Sequence, residues 1–411
     1  MNETQWLIII VSLILFDFAF DKVLDFLNTG NWKDAIPDEL KGYYDPEKYA
    51  KARAYQLENG RLSFISSTLS LAFLLGMIFS GGFGWLDDFI SARVESNYFR
   101  TALFFLVLFV ASDILSLPFS IYKTFRIEEK YGFNKTTPKT FVLDKLKGYL
   151  LIAVIGGGLL WAVLFIMDYF QSGFWLWIWI VLAGFSLLMN MFYADIILPL
   201  FNKLKPLEAG ELRDEIEKYA AKIGYSLKNI YIIDGSKRST KANAFFSGMG
   251  PRKTIALYDT LIEKHTNDEL VAILAHEVGH YKKKHILVSM ILSLLQMGLM
   301  IFLFEQFIQI EAISLALGAH QTTFHIGLIG FVIILSPLSH ITGILMAMLS
   351  RKNEFEADDF AKETYKAAPL IEALKKLSVD NLSNLYPHPL YVFVHYSHPP
   401  LLKRIANLRK A

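Results

Sequence analysis

His276 and His280 stand four residues apart in LAHEVGHYKKKH (274–285), with Glu277 beside the first. On a helix, 3.6 residues per turn bring both imidazoles to one face, within reach of a single zinc ion. Glu277 is rotated by about 100° and still reaches a water on that ion, which makes it the candidate general base. Zinc lowers the pKa of such a water towards about 7, and the carboxylate takes the proton. A catalytic zinc takes three protein ligands and keeps a fourth position open. The third ligand is sought in RKNEFEADDFA (351–361), where Glu354 and Asp358 stand at i and i+4 on one helical face. Glu354 reads as the ligand and Asp358 as the carboxylate that steadies a ligand histidine. Glu356 is expected to point elsewhere. His285 lacks the spacing of a third-histidine pattern and is expected at the lipid headgroups with Lys282, Lys283 and Lys284. The alternative for both stretches is a solvated amphipathic or acidic helix.

Several elements must position these side chains. Thr266 and Glu269 form a capping box, which predicts a helix from about residue 267 through His280. Leu212, Ile216, Tyr219 and Ile223 recur at helical spacing, with Gly224 after them as a C-cap. NIYIID (229–234), KANAFFSG (241–248) and TIALYD (254–259) are strand candidates. Residues 202–285 therefore read as a small α/β segment.

On either side of it the chain is apolar. Of 411 residues, 53% are hydrophobic and 14% aromatic, with mean hydropathy +0.35; soluble domains lie nearer 45–50% apolar. A bilayer core needs about 20 apolar helical residues. Runs of that kind fall at 5–26, 62–82, 100–122, 148–170, 173–200, 286–310 and 324–349, giving about seven spans. The predicted division is 1–201 (five spans), 202–285 (the α/β segment), 286–349 (two spans) and 350–411 (a C-terminal segment). The opening MNETQ is not a basic leader and no small-residue cleavage site follows, so the first run reads as a retained span. A net charge of +2 offers no case for a nucleic-acid partner. Cysteine is absent, which excludes disulfides, thiol nucleophiles and thiolate ligands. Any metal must then be held by His, Asp or Glu.

Lysine and arginine crowd 27–61, 123–147, 201–285 and 350–411, whereas 83–99 has only Arg93 and 311–323 has neither. The positive-inside rule then places the N-terminus outside, and HEVGH and the C-terminal segment in the cytosol. Asp17, Asp113, Asn190, Asp195, Gln296 and His340 lie inside the apolar runs. They read either as pairs between packed helices or as the lining of a wet interior.

HEVGH after a short α/β segment, NAFFSG before it, NEFEAD after the last span and HYSHPPLLKRI near the end resemble, in that order, the type I CAAX prenyl endopeptidase family. AYQLENGRLSF (54–64) adds to the likeness, which covers essentially the whole chain. A shorter family, the HtpX-type membrane quality-control proteases, shares HExxH and the downstream glutamate.

The resemblance implies a mostly α membrane protein of seven transmembrane helices enclosing a chamber, with a small cytosolic α/β zinc-metalloprotease domain of gluzincin type. It implies one Zn2+ on His276, His280 and Glu354, with Glu277 as base. It further implies that Asn243, Ala244 and Phe245 form an edge strand to which an extended peptide adds; the alternative is an ordinary buried strand. The expected substrate is a peptide or protein, lipidated at a cysteine near its C-terminus and resting in the bilayer. His398 and Arg404 suit the remaining need, donors for the oxyanion of the tetrahedral intermediate. Their alternative is a membrane-proximal cap whose arginine contacts phosphate. Two further readings use the same residues, a quality-control protease and a zinc-binding seven-span transporter or receptor.

Overall fold

The computed structural model describes residues 1–225, 229–247 and 254–410. The membrane part opens with α1 (Glu3–Gly30), α2 (Pro46–Phe79), α3 (Gly82–Ser91), α4 (Asn97–Tyr122), α5 (Pro138–Leu151), α6 (Gly157–Phe170), α7 (Phe174–Ile196) and the short α8 (Leu198–Phe201). A small mixed layer follows, with β1 (Leu204–Pro206), α9 (Glu211–Lys222), β2 (Asn229–Ile233), β3 (Ala244–Ser247), β4 (Thr254–Tyr258), α10 (Asp259–Ile262) and α11 (Asn267–Lys282). The chain then returns to long helices: α12 (His285–Phe307), α13 (Glu311–Ala316), α14 (Phe324–Ile334) and α15 (Ser336–Thr364). It ends with α16 (Ala367–Asp380), α17 (Pro389–His395) and α18 (Leu401–Leu408).

Among the described residues, five helical stretches are long and apolar enough to cross a bilayer: Pro46–Phe79, Asn97–Glu128, Pro138–Phe170, Phe174–Phe201 and His285–Phe307. α14 and α15 make a sixth if they are taken together, although they bend by 56°. The run expected as one straight span at 324–349 is therefore broken. Pro337, in the first turn of α15, has no N–H to give the preceding turn, and its ring crowds the carbonyl four residues back. α1 holds the first expected run, 5–26, and carries Asp17, Asp21, Lys22 and Asp25 along its length. Leu69, Val110, Trp161, Leu295 and Leu345 stand exposed on the long helices. So many exposed large apolar side chains suit lipid as their solvent and not water. Several polar residues inside these helices pair across them. Asp113 accepts from Lys145 and Tyr149 at 2.6 Å each, Gln296 donates to Thr342 at 2.7 Å, and Asp17 lies 3.3 Å from His340.

The sheet runs β1-β2-β4-β3, with β2 parallel to β4 and the outer pairs antiparallel. β3 is shorter than the 241–248 candidate, and Gly248 lies outside the described residues. Asn243 precedes the strand, but its carbonyl still accepts from the Tyr258 N–H at 3.1 Å. Ala244 and Phe245 pair with Leu257 and Ala256. Among the described residues β3 has a strand neighbour on one side only. Ile216, Tyr219, Leu257, Leu270, Leu274, Val278, Leu370 and Ile405 form one buried core under this sheet. That core fixes α9, α11, α16 and α18 relative to one another.

Candidate metal centre

α11 starts where its sequence says it must. The Thr266 hydroxyl accepts from the Glu269 N–H at 3.3 Å, and Glu269 accepts from the Thr266 N–H at 3.2 Å. Lys376 on α16 binds both oxygens of Glu269, at 2.7 and 2.9 Å, and ties the helix start to the neighbouring helix. At the far end α11 lies against α15. A Cβ added at Gly279 would stand 3.1 Å from the Ala357 Cα and 3.2 Å from its carbonyl oxygen. The glycine of HEVGH is thus what allows the two backbones to approach. That approach sets His276 and His280 opposite Glu354.

Three donor atoms converge there. His276 Nε2 lies 3.2 Å from His280 Nε2 and 3.5 Å from Glu354 Oε2, and His280 Nε2 lies 3.3 Å from Glu354 Oε1. These spacings match donors around one tetrahedral ion with bonds of about 2.0–2.2 Å. Chemistry points the same way. Each histidine uses its other nitrogen elsewhere: His276 Nδ1 meets Asp358 at 2.9 Å, and His280 Nδ1 meets His285 Nδ1 at 3.1 Å. The two Nε2 lone pairs and the carboxylate therefore face one another, and Glu354 Oε2 is buried without a hydrogen bond. Such an arrangement asks for positive charge. Burial would push the His276 pKa down, yet the bonds to Asp358 and Glu354 outweigh it and raise it to about 9. The basin holds a proton or a metal ion, and two histidines with one carboxylate fit a catalytic zinc.

Charges around the donors are arranged by α18. Arg404 is 8% exposed and grips Asp358 with Nε and Nη2 at 2.8 and 2.6 Å. Its Nη1 lies 3.2 Å from Glu354 Oε2. The guanidinium fork thus meets two carboxylates, and Arg404 also lines the cavity beside Glu277 and His398. His398, 64% exposed at the rim, lies 3.2 Å from Glu354 Oε1. Glu277 lines the same cavity, of about 610 Å³, together with Ala242, Asn243, Leu370 and His398.

One expectation is corrected. His285 is not at the headgroups among its lysines; it is 6% exposed and packed against His280. Glu356 points away from the donor atoms, as expected, and its Oε2 meets His285 Nε2 at 3.0 Å. Helical spacing could not reveal the place of His285. Lys284 adopts a left-handed conformation with φ 61°, which breaks the helix after α11 and turns His285 back over His280.

Known proteins resemble this chain over most of its length. Residues 26–203 match the family profile described as CAAX prenyl protease N-terminal, five membrane helices, and residues 206–411 match Peptidase family M48. A CAAX prenyl protease 1 homolog of Oryza sativa subsp. japonica is 33% identical over 411 residues, covering 98% of this chain and 97% of the relative. The Homo sapiens CAAX prenyl protease 1 homolog is 33% identical, covering 91% and 88%. The crystal structure of S. mikatae Ste24p superposes with a TM-score of 0.90 at 34% identity, covering 98% of each chain.

Proposed function

The chain belongs to the type I CAAX prenyl endopeptidase family of membrane metalloendopeptidases, and from that premise we propose that it hydrolyses peptide bonds near the C-terminus of prenylated CAAX-type or similar peptides. One observation carries the chemistry: three donor atoms, on His276, His280 and Glu354, converge within 4.8 Å of one another. Zinc held by His276, His280 and Glu354 would supply Lewis acidity there. Glu277 would take a proton from the attacking water and pass it to the leaving amine. His398, at the rim, donates to the oxyanion that develops on the carbonyl. Arg404 is a positioning residue that holds Asp358 and Glu354 in place.

The substrate binds as an added strand. β3 has a free edge among the described residues, and the neighbouring Ala242 and Asn243 line the cavity beside His276. Backbone pairing with an extended peptide at Asn243, Ala244 and Phe245 reads conformation more than sequence. Counting α1 and the bent α14–α15 pair as crossings gives seven helices, and the lysine and arginine distribution supports a cytosolic zinc side. A polar cavity of about 580 Å³, lined by Asn28, Asn59, Ser63, Ser116 and Asn384, supports a wet chamber between them. The sequence division at 1–201, 202–285, 286–349 and 350–411 follows this arrangement.

The test compares one CAAX peptide with and without its prenyl group on purified zinc-loaded protein, with Glu277→Ala as control. Glu277-dependent cleavage that prefers the prenylated peptide is expected. Equal cleavage of both would assign the enzyme to general membrane-protein turnover. Cleavage by neither would remove hydrolysis from the reading.

A further inference from the structure

We propose that His285, backed by Glu356, is the positioning residue that aims His280 at the metal, an inference that rests on the zinc reading above. His280 is half-buried and has two working nitrogens. Its Nε2 faces Glu354 and His276, at 3.3 and 3.2 Å. If Nε2 holds a metal, the ring's proton sits on Nδ1 and needs an acceptor. The only partner at that nitrogen among the described residues is His285 Nδ1, at 3.1 Å. His285 must therefore accept there and carry its own proton on Nε2, which meets Glu356 Oε2 at 3.0 Å. The tautomers of both rings are set by this one chain of contacts from Glu356 inward. The rings stand 5.2 Å apart, inclined by 74°, so each nitrogen points at its partner and the rings do not stack.

The two ligand histidines are thus aimed by different devices. His276 donates straight to Asp358, which is fully buried and clamped by Arg404. His280 donates to a neutral imidazole whose carboxylate, Glu356, is 40% exposed and also lies 3.6 Å from Lys352. His285 can occupy this place because the left-handed Lys284 folds the start of α12 back onto the end of α11.

The experiment measures zinc affinity of the full-length protein in detergent by chelator competition, with the visible spectrum of the Co2+-loaded form as a second readout. Partners of metal-bound histidines are worth about 10–100-fold in affinity. His285→Ala is expected to lose affinity in that range and to shift the Co2+ bands. His285→Asn, whose side-chain oxygen can replace the Nδ1 acceptor, is expected to recover most of the affinity and the bands. Glu356→Ala, at a half-exposed position, is expected to weaken zinc binding by a smaller factor, and it decides the matter if His285→Ala does not fold. Wild-type affinity and spectrum in a folded His285→Ala, or in Glu356→Ala when that variant must stand in, overturn the inference alone. A wild type that binds no zinc overturns it together with the metal centre.

Discussion

Two buried histidine–aspartate–arginine clusters stand in different cores of this molecule. At the metal centre, Asp358 receives His276 Nδ1 at 2.9 Å and the Arg404 fork at 2.8 and 2.6 Å. Between α3, α4 and α14, Asp87 receives His325 Nε2 at 2.8 Å, Arg100 Nε at 2.7 Å and Arg100 Nη2. Asp358 and Asp87 are 0% and 2% exposed, so burial does not distinguish the clusters. The difference lies at the histidine's second nitrogen. His276 Nε2 faces two more candidate metal donors and an open cavity. His325 Nδ1 faces the Thr101 hydroxyl at 3.3 Å, and Phe104 covers the ring at 4.2 Å between centroids. The same three side chains thus make a ligand holder in one place and a helix lock in the other. What the spare nitrogen meets decides which.

The comparison can be broken by experiment. Removing metal with a chelator, or one ligand with Glu354→Ala, should take peptide cleavage to background; added zinc should restore the chelated wild type and not the variant. Glu277→Ala should lower kcat by about 10²–10⁴-fold while zinc content, measured by atomic absorption, stays at the wild-type level. Asp87→Ala should leave zinc affinity unchanged and destabilise the fold by about 3–5 kcal/mol, read as a lowered thermal midpoint, because Arg100 is left buried without its partner. Asp358→Asn should do the reverse, weakening zinc by about 10–100-fold with a smaller loss of stability. If Asp87→Ala weakened zinc binding as much as Asp358→Asn, the division between holder and lock would be wrong. The smallest effect is expected at Gly279→Ala. Its new methyl presses on Ala357 and should cost about 1–3 kcal/mol, with a modest loss of zinc affinity from the wider gap between α11 and α15.

Much of the holder was legible in the chain and little of the lock. His276, His280, Glu354 and Asp358 lie on helices whose periodicity survives in the structure, and the Thr266–Glu269 box fixed where the first of these helices begins. The reading weakened wherever the backbone left a regular repeat. Lys284 turns left-handed and Pro337 breaks a long apolar run, and neither event has a period to detect. The destination of a long side chain was equally hidden. Arg404 could be placed near the candidate metal site from its neighbours, but its grip on Asp358 depends on how α18 docks. Asp87, Arg100 and His325 lie far apart in sequence and were not read together at all.

The clamp on Asp358 comes from α18, which follows α11 and α15 in the chain. Translation therefore delivers both histidines and Glu354 before it delivers Arg404. The clamp on Asp358 is therefore complete only once α18 has docked.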